Sequence, residues 1–151
     1  MFQTRTEIAS DFSNLFEIEG FIDCIMEDCL LPENYRGVIS IPLMEAVSNA
    51  IVHGNGCDRR KKVLVICQQE RKELVFSVSD EGQGFPYDRF LSEGGQLQSH
   101  GLSVILSLCE KVAFQRNGAT ILFRIPIPKT IPAPCVTPEF STRQKHLLQT
   151  V

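Results

Sequence analysis

Apolar residues recur at helical spacing near the start of the chain. Phe12, Leu15, Phe16, Ile18, Phe21, Ile22, Ile25, Met26 and Leu30 keep to one broad face. The pattern predicts a helix over about 11–31, capped by Ser10 or Asp11 and ended at Leu31-Pro32, where the residue before proline is pushed out of the α region. Gly20 weakens this helix by about 1 kcal/mol relative to alanine without breaking it. A second helical pattern runs over about 33–53. Pro42 removes one backbone hydrogen bond there and crowds the preceding turn. Either the helix kinks at Pro42, or Pro42 opens a shorter helix after a helical turn at 33–39. Both options leave Glu45 to His53 on continuous helix, and Gly54-Asn55-Gly56 stops it. The period then changes. KVLVICQQ at 62–69 and ELVFSVS at 73–79 read as strands of an antiparallel hairpin, joined by a polar QERK turn. Residues 3–8 read as a short edge strand, and 101–109 as a helix carrying Leu102, Val104, Ile105 and Leu108. A last hairpin, 112–115 with 120–126, closes around Arg116-Asn117-Gly118. The order predicts an α+β two-layer sandwich: a mixed, mostly antiparallel sheet covered on one face by helices.

Two stretches fall outside this pattern. The polar, glycine-bearing segment from about 86 to 99 has little to bury, and it reads as a mobile lid with one helical turn near Tyr87–Leu91. Residues 126–138 contain five prolines, which favours no packed element. The chain therefore reads as one domain over 1–128 and a Pro-rich flexible tail over 129–151.

Composition narrows the class. The 151 residues suffice for one compact domain, and 43% apolar residues support a real core. A net charge of −3 gives no nucleic-acid surface, and the short basic run Arg59 to Lys62 reads as a solvated rim. The six cysteines show no C-x-x-C pair and no metal-ligand spacing with the three histidines, so they read as reduced thiols of a cytoplasmic protein. The N-terminus has no signal-peptide apolar region, and no apolar run approaches the ~18–20 residues of a membrane span.

The chemistry concentrates in three places. Glu45, Asn49 and His53 are four apart, which stacks them on one helix face. Met44, Val47, Ala50 and Ile51 form a separate apolar stripe. The face offers a carboxylate able to act as a general base and an amide oxygen able to ligate a hard cation beside phosphate oxygens. A solvated polar face is the plainer reading of the same spacing. Asp80 ends an apolar strand in a D-x-G-x-G spacing, where a carboxylate can accept from an exocyclic amine and glycines let backbone approach a flat ring; an ordinary turn also fits. Ser99-His100-Gly101-Leu102 opens a helix whose N-terminal N–H groups suit phosphate, or simply a capped helix start.

Taken together and in order, these pieces resemble the GHKL ATPase superfamily with its Bergerat ATP-binding fold. Glu45-x-x-x-Asn49-x-x-x-His53-Gly54 resembles its N box, Asp80-Glu81-Gly82-Gln83-Gly84-Phe85 its G1 box, and Ser99-His100-Gly101-Leu102-Ser103-Val104-Ile105 its G2 box. Asn117-Gly118-Ala119-Thr120 resembles the closing glycine–threonine element. The small size, the short lid and E-A-V-S-N-A-I-V-H-G are similar to the anti-sigma factor/serine-protein kinase branch. The resemblance, over about 5–126, implies ATP and Mg²⁺ as cofactors. It implies Glu45 as general base, Asn49 as magnesium ligand and Asp80 as reader of the adenine amine. Gly82 and Gly84 would let the loop pass the base, and Gly101 and Leu102 would donate N–H groups to phosphate. His100 would touch phosphate or serve only the lid, and Thr120 would bond to Asp80 or to a water beside adenine. His53 reads as a structural residue at a helix C-terminus. Partners implied are an anti-anti-sigma (antagonist) protein, a sigma factor or other effector, and a second copy in a homodimer, with no nucleic acid and no membrane. Ser99, His100 and Ala119 depart from the usual boxes. They leave two alternatives: a GHKL module that only binds a regulatory partner, or a stand-alone histidine-kinase-like ATPase domain.

Overall fold

The computed structural model describes residues 2–84 and 100–128, with His100 known by its backbone alone; the lid and the tail lie outside the described residues. The chain opens with β1 (Gln3–Ala9), which enters a short 3-10 turn at Phe12–Asn14. There the Asp11 carboxylate accepts from the Ser13 N–H at 2.9 Å, so of the two candidate caps Asp11 is the one used. Helix α1 (Leu15–Asp28) follows, burying Ile18, Phe21, Ile22, Ile25 and Met26. The helical period also groups Phe12, Phe16 and Leu30 with these five, but those three are 50%, 70% and 71% exposed.

A second 3-10 turn, Glu33–Tyr35, leads into α2 (Arg36–Asn49), which carries Pro42 in its interior. Pro42 thus lies in the interior of α2 and does not open a shorter helix, and the turn that precedes α2 covers Glu33–Tyr35 rather than 33–39. Arg36 fixes α2 to α1 by pairing with Glu19 at 2.9 Å and with Asp23. The continuous α-helix expected to His53 is replaced after Asn49. Ala50–Gly54 is a π-helical turn, closed by Asn55 N–H donating to the Ala50 carbonyl at 2.8 Å, five residues back.

Strands β2 (Lys62–Glu70) and β3 (Glu73–Ser79) form the hairpin. Helix α3 (His100–Leu108) then precedes β4 (Val112–Gln115) and β5 (Thr120–Pro126). The sheet order is β1-β2-β3-β5-β4, and every pairing is antiparallel. The sheet belongs to the α+β class expected, with no parallel pair among the described strands.

Register sorts the two faces. Thr6, Val65, Val78 and Ile121 are in line across four strands, as are Thr4, Cys67, Phe76 and Phe123. Val63, Val65, Cys67, Leu74, Phe76, Phe123 and Ile125 are fully buried against Ile18, Ile22, Ile25, Ile39, Leu43, Val47, Ile51 and Ile105. Phe76 and Phe123 stack with ring centroids 5.3 Å apart. Burying side chains of this size stabilises by about 1.5–3 kcal/mol each, so the interface between sheet and helices is where the fold gains its stability. All five described cysteines are free. Burial pushes the Cys67 and Cys109 thiols well up, Cys109 to about 11, which keeps both as inert apolar fillers.

Candidate functional site

Helix α2 packs against α3 and touches β3 and β5, which brings the three sequence segments together. Asp80 is the first residue past β3. Its N–H donates to the Ala119 carbonyl at 3.0 Å, which ties the strand end to the start of β5. The side chain turns inward and is only 8% exposed. Its Oδ1 accepts from the Gly82 N–H at 2.7 Å, an Asx turn that sets the loop's direction.

Bare backbone surrounds that carboxylate. A Cβ on Gly54, at the end of the π-turn, would collide with Cγ and both oxygens of Asp80. A Cβ on Gly82 would collide with the Gly54 carbonyl. Gly84 has φ +84° and sits over the Asn117 carbonyl with no room for a side chain. The glycines are therefore required by close approach, and Gly84 also by its left-handed backbone. Burial is the main influence on Asp80 and raises its carboxyl above the ordinary value; the Gly82 N–H, Arg116 and Lys61 pull in the other direction. Arg116 also donates from Nη1 to the Asp80 carbonyl at 3.4 Å.

Glu45 and Asn49 lie one turn apart at the end of α2, both half-buried. They face Gly101 in the first turn of α3. A Cβ on Gly101 would collide with Glu45 Oε2 and lie 3.3 Å from Asn49 Nδ2. The base candidate, the amide and a helix N-terminus thus converge. His53 does not join them, because the π-turn breaks the four-residue line and leaves its side chain exposed. Leu102 places its side chain in the core, at 5% exposure, so any contact with a ligand falls to its backbone. Thr120, also 5% exposed, shares a hydrogen bond of 2.9 Å with the Ser79 hydroxyl beside Asp80, and that is where the structure places it.

One residue escaped the motif reading. Asn55 is 2% exposed. Its amide donates to Ser10 Oγ at 2.7 Å and to the Lys62 carbonyl at 2.9 Å, and its Oδ1 accepts from the Glu81 N–H at 2.8 Å. It joins the end of β1, the start of β2 and the D-x-G-x-G loop. The Glu81 carboxylate closes the same circuit by accepting from the Lys62 N–H.

A buried carboxylate at a strand end, walled by glycine backbone, fits a flat base bearing an amine. A half-buried amide and carboxylate against a helix N-terminus fit the phosphates and a cation they carry. Among the described residues no group of three or more His, Cys, Asp or Glu side chains could hold a metal ion. One amide oxygen plus phosphate oxygens is a usual arrangement for magnesium, which keeps most of its waters.

The fold and these segments define a nucleotide-binding α+β domain. The family model of the histidine kinase-like ATPase domain matches residues 8–125, and the chain belongs to that family, within the GHKL superfamily of ATP-binding modules. Among solved structures it is similar to the nucleotide-free catalytic domain of the histidine kinase ThkA, at TM-score 0.51 and 19% identity, over 82% of this chain and 97% of that one. That likeness speaks to the fold. No curated protein matches the chain. No helix among the described residues is long and apolar enough to cross a membrane.

Proposed function

We propose that the protein is an ATP-dependent serine/threonine protein kinase of the anti-sigma-factor type, which binds and phosphorylates a small antagonist protein in bacterial partner switching and works in the cytoplasm. The observation that carries this reading is the placement of Glu45. Its carboxylate lies against the N-terminal turn of α3, beside Asn49. An acceptor hydroxyl held there can lose its proton to Glu45 as its oxygen bonds to the γ-phosphorus and the bond to the ADP oxygen breaks. Asn49 would hold magnesium through its amide oxygen; when bound, the ion supplies charge neutralisation on the phosphates. Asp80 would accept from the adenine amine, and the first N–H groups of α3 would face the phosphates. Phosphoryl transfer asks the protein mainly for positioning and electrostatic stabilisation, which these residues suit.

The test pairs binding with transfer. Titration calorimetry of ATP with and without Mg²⁺ should show magnesium-dependent binding that Asp80→Asn loses and Glu45→Ala retains within about threefold. Incubation with γ-labelled ATP and bacterial lysate should give acid-stable phosphoserine or phosphothreonine, reduced about 10²–10⁴-fold by Glu45→Ala. Acid-labile label would instead indicate transfer to histidine. Intact binding with no label in any form would identify a module that only sequesters a partner.

A further inference from the structure

Helix α1 has an outer stripe that its own domain leaves bare. Phe16, Gly20, Cys24 and Glu27 follow one another at helical spacing, and all four are exposed. Phe12 stands just before this stripe and Leu30 just after it, both exposed large apolar side chains. Gly20 serves no packing need, since a Cβ there would meet nothing within 4 Å. Glycine weakens a helix interior, and here it leaves a flat stretch of backbone open to close approach from outside.

The charge of this surface has one sign. From Leu15 to Tyr35 the chain carries Glu17, Glu19, Asp23, Glu27, Asp28 and Glu33, and no lysine, arginine or histidine. Arg36 answers Glu19 and Asp23. Among the described residues Glu17, Glu27 and Asp28 make no ion pair, and all three are exposed along or beside the stripe. Such a surface fits a segment that is apolar along one line and cationic at its flanks.

The same chain carries one. In residues 140–151, Phe140, Leu147 and Val151 fall within ~40° of one another at about 100° per residue, with Leu148 beside them. Arg143 and Lys145 fall on the two sides of this line, and the segment holds no aspartate or glutamate. Its tether is long enough. β5 delivers the chain to the β2–β3 turn, where the Ile127 N–H donates to the Lys72 carbonyl at 2.7 Å. Helix α1 packs over β1, and β1 lies three strands from β5, about 14 Å at the usual strand spacing. Residues 129–139, with Pro132, Pro134 and Pro138, span up to about 34 Å at the rise of an extended proline-rich chain. The 14-residue α1 is about 21 Å long, so either of its ends is within reach.

We propose that residues 140–151 dock as an amphipathic helix along the outer stripe of α1 in the same molecule. Phe140, Leu147 and Val151 lie over Phe16, Gly20 and Cys24, while Arg143 and Lys145 answer Glu17, Glu27 and Asp28.

Alkylation of the full chain, read thiol by thiol by peptide mass spectrometry, tests this docking. Cys24 and Cys57 are both exposed on the domain surface, and only Cys24 lies on the stripe. The docked segment should slow Cys24, so R143E/K145E and Leu147→Asp should each raise its rate relative to Cys57 at least about tenfold. E27K/D28K should do the same, and joining E27K/D28K to R143E/K145E should bring the protection back. High salt should speed Cys24 in wild type and change little in Leu147→Asp. The buried Cys67 and Cys109 report on folding and should stay unreactive in every variant. A Cys24 rate that none of these substitutions changes would overturn the proposal. Protection that weakens on dilution would assign the stripe to the same segment of a second copy, and protection that appears only on adding another protein would assign it to a partner. Either result overturns docking within one molecule.

Discussion

Asp80 shows how a single residue can serve binding at the expense of stability. Its carboxyl is raised by burial, so the folded state resists ionisation more than the unfolded chain does. An acid whose folded value lies above its unfolded value contributes stability at low pH, and that contribution is lost as pH rises through the unfolded value of about 3.8 and then the folded one. At neutral pH the ionised carboxylate therefore works against folding. Asp80→Asn should equal wild type in urea midpoint near pH 3 and exceed it near pH 7, while losing ATP. A variant less stable at both pH values would mean that the carboxylate's bond to the Gly82 N–H outweighs its burial. The residue was legible in the sequence, because D-x-G-x-G after an apolar strand is a local pattern. Asn55 was not. Within Gly54-Asn55-Gly56 it reads as helix punctuation, and its partners Ser10 and Glu81 are 45 and 26 positions away.

At the scale of elements, Asn55 explains why the D-x-G-x-G loop holds its place. One amide fastens the loop after β3 to the exit of β1 and the entry of β2, which the ladder joins at Ala9↔Lys62. Asn55→Ala would remove three hydrogen bonds made by a side chain that is 2% exposed, among them those to the Glu81 N–H and the Lys62 carbonyl. The expected loss is about 2–4 kcal/mol of stability, read from denaturant midpoints at unchanged m-value. Nucleotide affinity should fall with it, because the loop that carries Asp80 and Gly82 loses its anchor. Helix α1 and the hairpin of β2 and β3 were legible from period, since a two-residue alternation and a 3.6-residue stripe separate over runs of that length. Strand order was not. The placement of β5 between β3 and β4 depends on register partners such as Phe76 and Phe123, which pack only once the chain has returned. The π-turn was hidden too, because Ala50 and Ile51 are apolar and become buried whether the turn has four residues or five.

Over the whole molecule, helices and sheet share one apolar core, while the site is assembled from α2, α3 and the loops after β3 and β4. A ligand that bridges these parts should hold the domain closed. ATP with Mg²⁺ at 100 times its dissociation constant adds about 2.7 kcal/mol to the folded state. For a chain of this length that corresponds to a rise in Tm of roughly 5–11 °C. Differential scanning fluorimetry should show this rise in wild type and Glu45→Ala and not in Asp80→Asn. A shift in all three would place nucleotide elsewhere.

The extra residue in the turn at Ala50–Gly54 has a consequence for phase. An α-helix advances about 100° per residue, so inserting or removing one position there rotates everything downstream while leaving composition almost unchanged. Gly54 meets the Asp80 carboxylate, and Asn55 reaches Ser10, only at the present phase. Substitutions along this stretch are thus graded changes, whereas a change of length by one residue acts as a switch. The spacing between Asn49 and Gly54 works as a ruler for the site, and its information lies in a count of residues more than in their identity.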